Sequence, residues 1–235
     1  MNDTSQASVL DRVCGVKICG VKSSDTALVA ARAGADYLGF VLFRKSPRFI
    51  TPEFAEEIIV ELKQASFDEG FALPKLVGLF VDAGEMELAP TAPFLTHFQF
   101  HGHESPERVE ELGREFAVDV IKAIPVSSED DLSAAREFAE AADILLFDAK
   151  PPPGARLPGG NGVAFDCSTL AAYDGETPYL VAGGLTPQNV TEIIAAQKNA
   201  AAFLGVDVSS GVESAPGKKD NNLVKTFIST VKKAS

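Results

Sequence analysis

Two stretches decide the fold: Pro178-Tyr179-Leu180-Val181-Ala182-Gly183-Gly184, and Ala202-Phe203-Leu204-Gly205-Val206-Asp207-Val208-Ser209-Ser210-Gly211. Each is a short apolar, strand-like run that breaks into a turn of small residues. Between them there is room for one helix. Small side chains at such turns leave backbone N–H groups free to point at an anion, the chemistry that a phosphate needs. Paired turns after the last two strands of a repeating β/α chain are where a (β/α)8 barrel commonly holds a phosphate.

Working outward, further apolar runs fall at Val16 to Cys19, Tyr37 to Leu42, Leu76 to Val81, His97 to Phe100, Val120 to Ile124 and Ile144 to Phe147. Their short, continuous apolar character suits strands buried on both faces of a parallel sheet. Segments with helical spacing alternate with them: Ser24 to Ala33, Thr51 to Gln64, one opening at Ser105-Pro106-Glu107, Ser128 to Ala141, one opening at Thr186-Pro187-Gln188, and Asn222 to Lys233. Serine or threonine followed by proline is a helix-opening signal. Pro90 and Pro93 interrupt the segment after Val81, and the one after Phe165 is short. The count is eight β/α units with no composition break, within 235 residues of which 46% are hydrophobic. That favours one closed (β/α)8 barrel domain over an open doubly wound sheet, with residues 1–12 as an N-terminal extension. Neither G-x-G-x-x-G nor a Walker pattern is present, and the glycines Pro158-Gly159-Gly160-Asn161-Gly162 follow a loop rather than a strand.

A formal net charge of −12 argues against nucleic acid as a partner. No run reaches the ~18 apolar residues of a membrane span, and Met1 to Leu10 lacks the order of a secretory signal. Three cysteines, Cys14, Cys19 and Cys167, imply no disulfide framework. The expected setting is cytoplasmic and the expected partner a phosphorylated small molecule, with a monomer the expected state and a dimer the alternative.

In a barrel, functional groups stand where strands end. The candidates are Cys19, Arg48, Asp82, His101, Asp148 and Asp207, together with the two small-residue turns. Cys14 and Cys167 read as buried apolar residues. Asp148 either caps a turn, pairs with Lys150, or does chemistry. His101-Gly102-His103 raises a metal, but Gly102 suggests that the strand has already broken there, and the chain holds only three histidines.

The chain resembles the phosphoribosylanthranilate isomerase family. The resemblance rests on nine stretches in order: Lys17-Ile18-Cys19-Gly20, Ala33-Gly34-Ala35-Asp36 with Leu38-Gly39-Phe40-Val41, Lys45-Ser46-Pro47-Arg48, Val77-Gly78-Leu79-Phe80-Val81, Gln99-Phe100-His101-Gly102, Leu146-Phe147-Asp148-Ala149-Lys150, Leu157-Pro158-Gly159-Gly160-Asn161-Gly162, Ala182-Gly183-Gly184-Leu185, and Val206-Asp207-Val208-Ser209-Ser210-Gly211-Val212-Glu213. It departs at Arg44, where proline is usual, at His103, and in a lengthened Ala65 to Pro74. It implies an Amadori rearrangement of phosphoribosylanthranilate in tryptophan biosynthesis, without metal or cofactor. By the same resemblance Cys19 is the general base and Asp148 the general acid. Arg48 meets the anthranilate carboxylate, His101 and Asp207 lie in the substrate pocket, and Gly183, Gly184, Ser209, Ser210 and Gly211 hold the phosphate. The Pro151 to Asn161 loop is read either as a lid or as a plain connection. Two alternatives remain at this level: another phosphate-binding barrel enzyme, such as an epimerase or indole-forming synthase, and a non-catalytic barrel that senses a phosphorylated metabolite.

The residue types set requirements. An ordinary carboxyl near ~3.9 is only ~0.1% protonated at pH 7, so an acid at Asp148 needs its pKa raised, by ~2 units or ~3 kcal/mol, through desolvation. A thiol near ~8.5 is only ~3% ionised at pH 7, so a base at Cys19 gains from a cation nearby. Lys17 stands two positions earlier, its direction undecided by sequence.

Overall fold

The computed structural model describes residues 14–150, Gly159 and residues 167–234. The N-terminal extension and, apart from Gly159, the loop Pro151 to Asn161 lie outside the described residues, as does the side chain of Cys167.

The apolar runs are strands: β1 (Gly15–Cys19), β2 (Tyr37–Val41), β3 (Lys75–Phe80), β4 (His97–Phe100), β5 (Asp119–Val126), β6 (Ile144–Ala149), β7 (Tyr179–Val181) and β8 (Phe203–Val208). They close into a barrel in chain order, each parallel to the next, and β1 pairs with β8 through Lys17↔Asp207 and Ile18↔Val208. The helices are α1 (Ser24–Arg32), α2 (Pro52–Glu69), α3 (Glu85–Leu88), α4 (Pro106–Phe116), α5 (Leu132–Glu137), α6 (Val190–Gln197) and α7 (Asn221–Ala234). A small hairpin, β9 (Glu213–Ala215) with β10 (Lys218–Lys219), follows β8. Among the described residues no helix is long and apolar enough to cross a membrane.

Alternation along the strands sorts the core into two layers. Val16 and Ile18, Leu38 and Phe40, Phe98 and Phe100, and Leu145 and Phe147 face outward and pack with the helices. The residues between them face the barrel axis, where Val77, Ile121, Ala123, Ile144, Leu146, Leu180 and Ala182 fill the floor. Each large apolar side chain removed from water contributes about 1.5–3 kcal/mol. The floor is therefore well sealed, and whatever is polar on the inward face stands above it.

Local chemistry explains most helix starts. Ser23, Thr51 and Ser105 each accept a hydrogen bond from a backbone N–H in the first turn, at Thr26, Phe54 and Arg108, with Pro52 and Pro106 opening two of the helices. Thr186-Pro187-Gln188 departs from that expectation. Asn189 Oδ1 accepts from Thr186 N and its amide donates to the Gly184 carbonyl, so a turn forms first and α6 opens at Val190. Ser128 to Ala141 is likewise not one helix but a 3₁₀ turn, Glu129–Asp131, followed by the short α5. Asp131 draws the Ser127 and Ser128 N–H groups and hydroxyls inward and tightens that entry. Ala65 to Pro74 is helix in its first half, because α2 runs on to Glu69 and stops at Gly70, in the left-handed region at φ 76°.

Candidate active site

Period-two alternation brings the polar groups together. On β1, Val16 and Ile18 face outward, so Lys17 and Cys19 both face the axis. The same parity turns Gln99 and His101 inward from β4, Asp148 from β6, and Asp207 and Ser209 from β8. Cys19, Gln99, His101, Asp148, Asp207 and Ser209 line one pocket, an open-mouthed space of about 520 Å³, with Arg48 and Ser46 from the loop after β2. Val41, Phe43, Leu79, Val81 and Leu146 supply its apolar wall, and Gly159 reaches it from the loop after β6. A concave, mostly apolar space with a few convergent polar groups suits a small ligand.

Lys17 is fully buried, and its ammonium lies 2.8 Å from Asp207 Oδ1. A Cβ placed on Gly39 of the adjoining β2 would sit 3.1 Å from Cys19 Sγ and 3.2 Å from Lys17 Nζ. Sulfur and ammonium therefore face the same bare backbone. Burial would push the Lys17 pKa down, but Asp207 and then Cys19 hold it above its usual value. Burial holds the Cys19 thiol above its usual value; Lys17 opposes that most strongly, and Lys219 and Arg48 also oppose it, while Asp207 adds to the rise.

Asp148 is buried at the end of β6. Burial first, and the Asp207 carboxylate second, raise its pKa from 3.8 to about 7; the Ala149 N–H and Lys17 pull the other way. Its carboxyl is thus partly protonated near neutrality, which an ordinary aspartate is not. His101 Nε2 stands 3.5 Å from Asp148 Oδ2, too far for a good hydrogen bond. Burial, with Lys122 and Lys17 nearby, lowers the His101 pKa to about 3, so the ring is neutral. His101 Nε2 and Gln99 Oε1 are both buried without a hydrogen-bond partner among the described residues. Two such groups at the wall of one pocket are suited to a polar ligand.

Arg48 is buried and clamped by Glu213, with Nε 2.7 Å and one terminal nitrogen 2.9 Å from its two carboxylate oxygens. Guanidinium carries five N–H donors, so this bidentate pair leaves others for a second carboxylate. Lys219, on β10, reaches Glu213 at 2.9 Å and the Ser209 carbonyl at 2.8 Å. The hairpin therefore ties Arg48 to the turn after β8. Ser209 in turn donates from its hydroxyl to the Cys19 carbonyl at 3.1 Å.

The two small-residue turns lie side by side at the pocket's edge. Gly183 and Gly184 hold φ of 83° and 62°, a region costly to other residues. A Cβ on Gly183 would come within 2.6 Å of the Ala149 amide, and one on Gly211 would collide with the Leu185 carbonyl. The backbone N–H groups of Gly184, Ser210 and Gly211 have no backbone acceptor among the described residues. Of the five residues expected to hold phosphate, Ser209 lines the pocket, while Gly183, Gly184, Ser210 and Gly211 are not among its lining residues.

Other candidates stand elsewhere. Asp82, at φ 50°, accepts from His103 N and donates its own N–H to Glu104, so it shapes a loop. Glu104 is paired with buried Lys122 at 2.6 Å, and Lys122 also holds the Gly102 carbonyl, which fixes the chain just beyond His101. His103 is exposed and does not share a face with His101. Among the described residues no cluster of three or more His, Cys, Asp or Glu is placed to hold a metal. Lys150 pairs with Asp131 at 2.9 Å rather than with Asp148. Arg44 lies over the Phe49 ring, 5.4 Å from its centroid. Cys14 is buried and its thiol pushed up to about 12, as an inert core residue would be. Sequence reasoning missed Gln99, Glu213 and Lys219 as members of the site, and left Lys17 undecided. Lys17 and Gln99 had a signal, a polar residue two places from a candidate on an apolar strand. Glu213 and Lys219 lie beyond the last strand and had none.

With the geometry in hand, comparison with known proteins is consistent. Residues 16–230 match the family model described as N-(5'phosphoribosyl)anthranilate (PRA) isomerase. N-(5'-phosphoribosyl)anthranilate isomerase of Paramagnetospirillum magneticum is 47% identical over 215 residues, 91% of this chain and 94% of the relative. That of Rhodospirillum rubrum is 46% identical over 219 residues, 92% and 97% respectively. A solved phosphoribosyl anthranilate isomerase in complex with reduced 1-(o-carboxyphenylamino)-1-deoxyribulose 5-phosphate superposes with a TM-score of 0.77 at 34% identity, covering 94% of this chain and 99% of its own. The enzyme from Thermotoga maritima gives 0.76 at 35% identity, with the same coverage. The eight-stranded barrel, the pocket at its strand ends and these matches lead to one conclusion: the chain belongs to the phosphoribosylanthranilate isomerase family.

Proposed function

We propose that this chain, as a single (β/α)8 domain, catalyses the Amadori rearrangement of N-(5'-phosphoribosyl)anthranilate to 1-(o-carboxyphenylamino)-1-deoxyribulose 5-phosphate in tryptophan biosynthesis, with Cys19 as general base and Asp148 as general acid. The observation that carries the reading is that a thiol and a raised-pKa carboxyl, from β1 and β6, line one pocket. The location is cytoplasmic and the partner a phosphorylated small molecule.

The reaction follows from those groups. Asp148 gives its proton to the ring oxygen as the bond from that oxygen to C1′ breaks, and the anilino nitrogen lone pair closes a C1′=N iminium. The iminium acidifies C2′, and the Cys19 thiolate removes the proton there. The electron pair moves toward nitrogen and gives an enolamine. Protonation at C1′ and loss of the enol proton from the C2′ oxygen complete the ketone. Every proton released is taken up, so the step is an isomerisation without redox change. A donor with pKa about 7 opposite a cation-assisted thiol is an acid–base pair of the kind such a step requires.

Arg48 offers its remaining donors to the anthranilate carboxylate. The N–H groups of Gly184, Ser210 and Gly211 are oriented by their turns for the phosphate. The neutral His101 and the amide of Gln99 meet the sugar hydroxyls. The test is loss of phosphoribosylanthranilate fluorescence with purified protein. Cys19→Ala should lower kcat by about 10²–10⁴-fold with KM nearly unchanged. Wild-type kcat in that variant would refute the assignment of the base.

A further inference from the structure

Lys17 is a fully buried ammonium on the barrel axis. Such a charge is tolerated only when paired, and Asp207 Oδ1 at 2.8 Å is its carboxylate. One carboxylate contact does not use an ammonium's three donors. Nζ and Cys19 Sγ both approach Gly39 of β2; a Cβ there would be 3.2 Å from Nζ and 3.1 Å from Sγ. Glycine at this position of β2 keeps sulfur and ammonium in view of each other.

The charges around the pocket point the same way. Arg48 and Lys219 share Glu213, while Lys17 has Asp207. With Asp148 protonated, as ring opening requires, these three cations face two carboxylates. The cluster then carries one positive charge in excess, and a Cys19 thiolate neutralises it. After the two proton transfers Asp148 is the anion and Cys19 the thiol, so the total is the same at the end as at the start.

We propose that Lys17 is a positioning residue which stabilises the thiolate form of Cys19 against the effect of burial, with Asp207 fixing the ammonium beside the sulfur. The inference rests on Cys19 being the base, and it deepens that reading by naming the group that makes the base available. The charged groups facing the sulfur are Lys17 on β1, Asp207 on β8, Lys219 on β10 and Arg48 after β2; among them Lys17 opposes the effect of burial most strongly.

The test is a titration of the Cys19 thiolate by its ultraviolet absorbance, taken as the difference between each full-length protein and its Cys19→Ala counterpart, which cancels Cys14, Cys167 and the tyrosines. In Lys17→Met the midpoint should rise by about one pH unit or more, an approximately tenfold loss of thiolate at neutral pH. Lys17→Arg should restore part of the difference. Because Lys17→Met leaves Asp207 buried and unpaired, the uncharged Lys17→Met/Asp207→Asn variant serves where the single variant does not fold, with a smaller shift in the same direction. A folded variant whose midpoint matches the wild type would overturn the role of Lys17. Undiminished turnover in Cys19→Ala would instead overturn the base assignment, so the two failures are distinguishable.

Discussion

Asp148→Asn should abolish turnover while making the fold more stable in alkaline solution, and the second effect follows from the geometry alone. Burial and the neighbouring Asp207 raise the Asp148 pKa from 3.8 to about 7 in the folded chain. That displacement, about 3 units, corresponds to about 4 kcal/mol. The sign follows from proton binding: between the two values the folded state holds a proton that the unfolded state has released, so stability falls as pH rises. The contribution is intact below the unfolded value and fully lost above the folded one. Asparagine has nearly the same shape and does not titrate, so it escapes this loss, and any change in its hydrogen bonding is independent of pH. Between pH 5 and pH 8 the stability of Asp148→Asn relative to wild type should therefore increase by about 2 to 3 kcal/mol. Urea unfolding of both proteins at several pH values, analysed at equal m, measures the difference directly. A stability gap that stays flat over this range would refute the raised pKa and, with it, the reason Asp148 can act as an acid at neutral pH. The same titration predicts that kcat/KM declines as pH rises through about 7, because the acid of the free enzyme is then lost.

Two further substitutions separate binding from chemistry. Arg48→Ala removes the donors assigned to the anthranilate carboxylate and leaves Glu213 half-satisfied, so KM should rise about 10- to 100-fold with a smaller fall in kcat; steady-state kinetics with unchanged KM would remove that role. Gly211→Ala drives a methyl group into the Leu185 carbonyl and separates the two turns, so inorganic phosphate should lose its competitive inhibition; wild-type inhibition in a folded variant would show that the turns do not hold phosphate.

Much of this was legible along the chain because it depends on local chemistry. Strand runs such as Tyr179–Val181 and Phe203–Val208 coincide with the observed strands since continuous β-branched and aromatic residues have few other buried solutions. The starts at Ser24, Pro52 and Pro106 follow from caps within three residues. Thr186-Pro187 misled because Asn189 turns back on Thr186 and Gly184, a competing local bond that the serine- or threonine-proline pattern does not weigh. Lys150 misled in a similar way: nearness in sequence suggested Asp148, but β6 ends at Ala149, and Lys150, just past the strand, meets Asp131 at the turn after β5.

By itself the sequence determined the order of strands and helices, the closed parallel architecture they imply, and the thiol, carboxyl and small-residue turns on which the family resemblance rests. Tertiary structure alone decided what each of those groups can do. Lys17 meets Asp207, 190 positions away, and Arg48 meets Glu213, 165 positions away. The protonation of Asp148 depends on water excluded by walls drawn from every part of the barrel. Charge and solvation are properties of distance in space, and those distances exist only once the barrel closes.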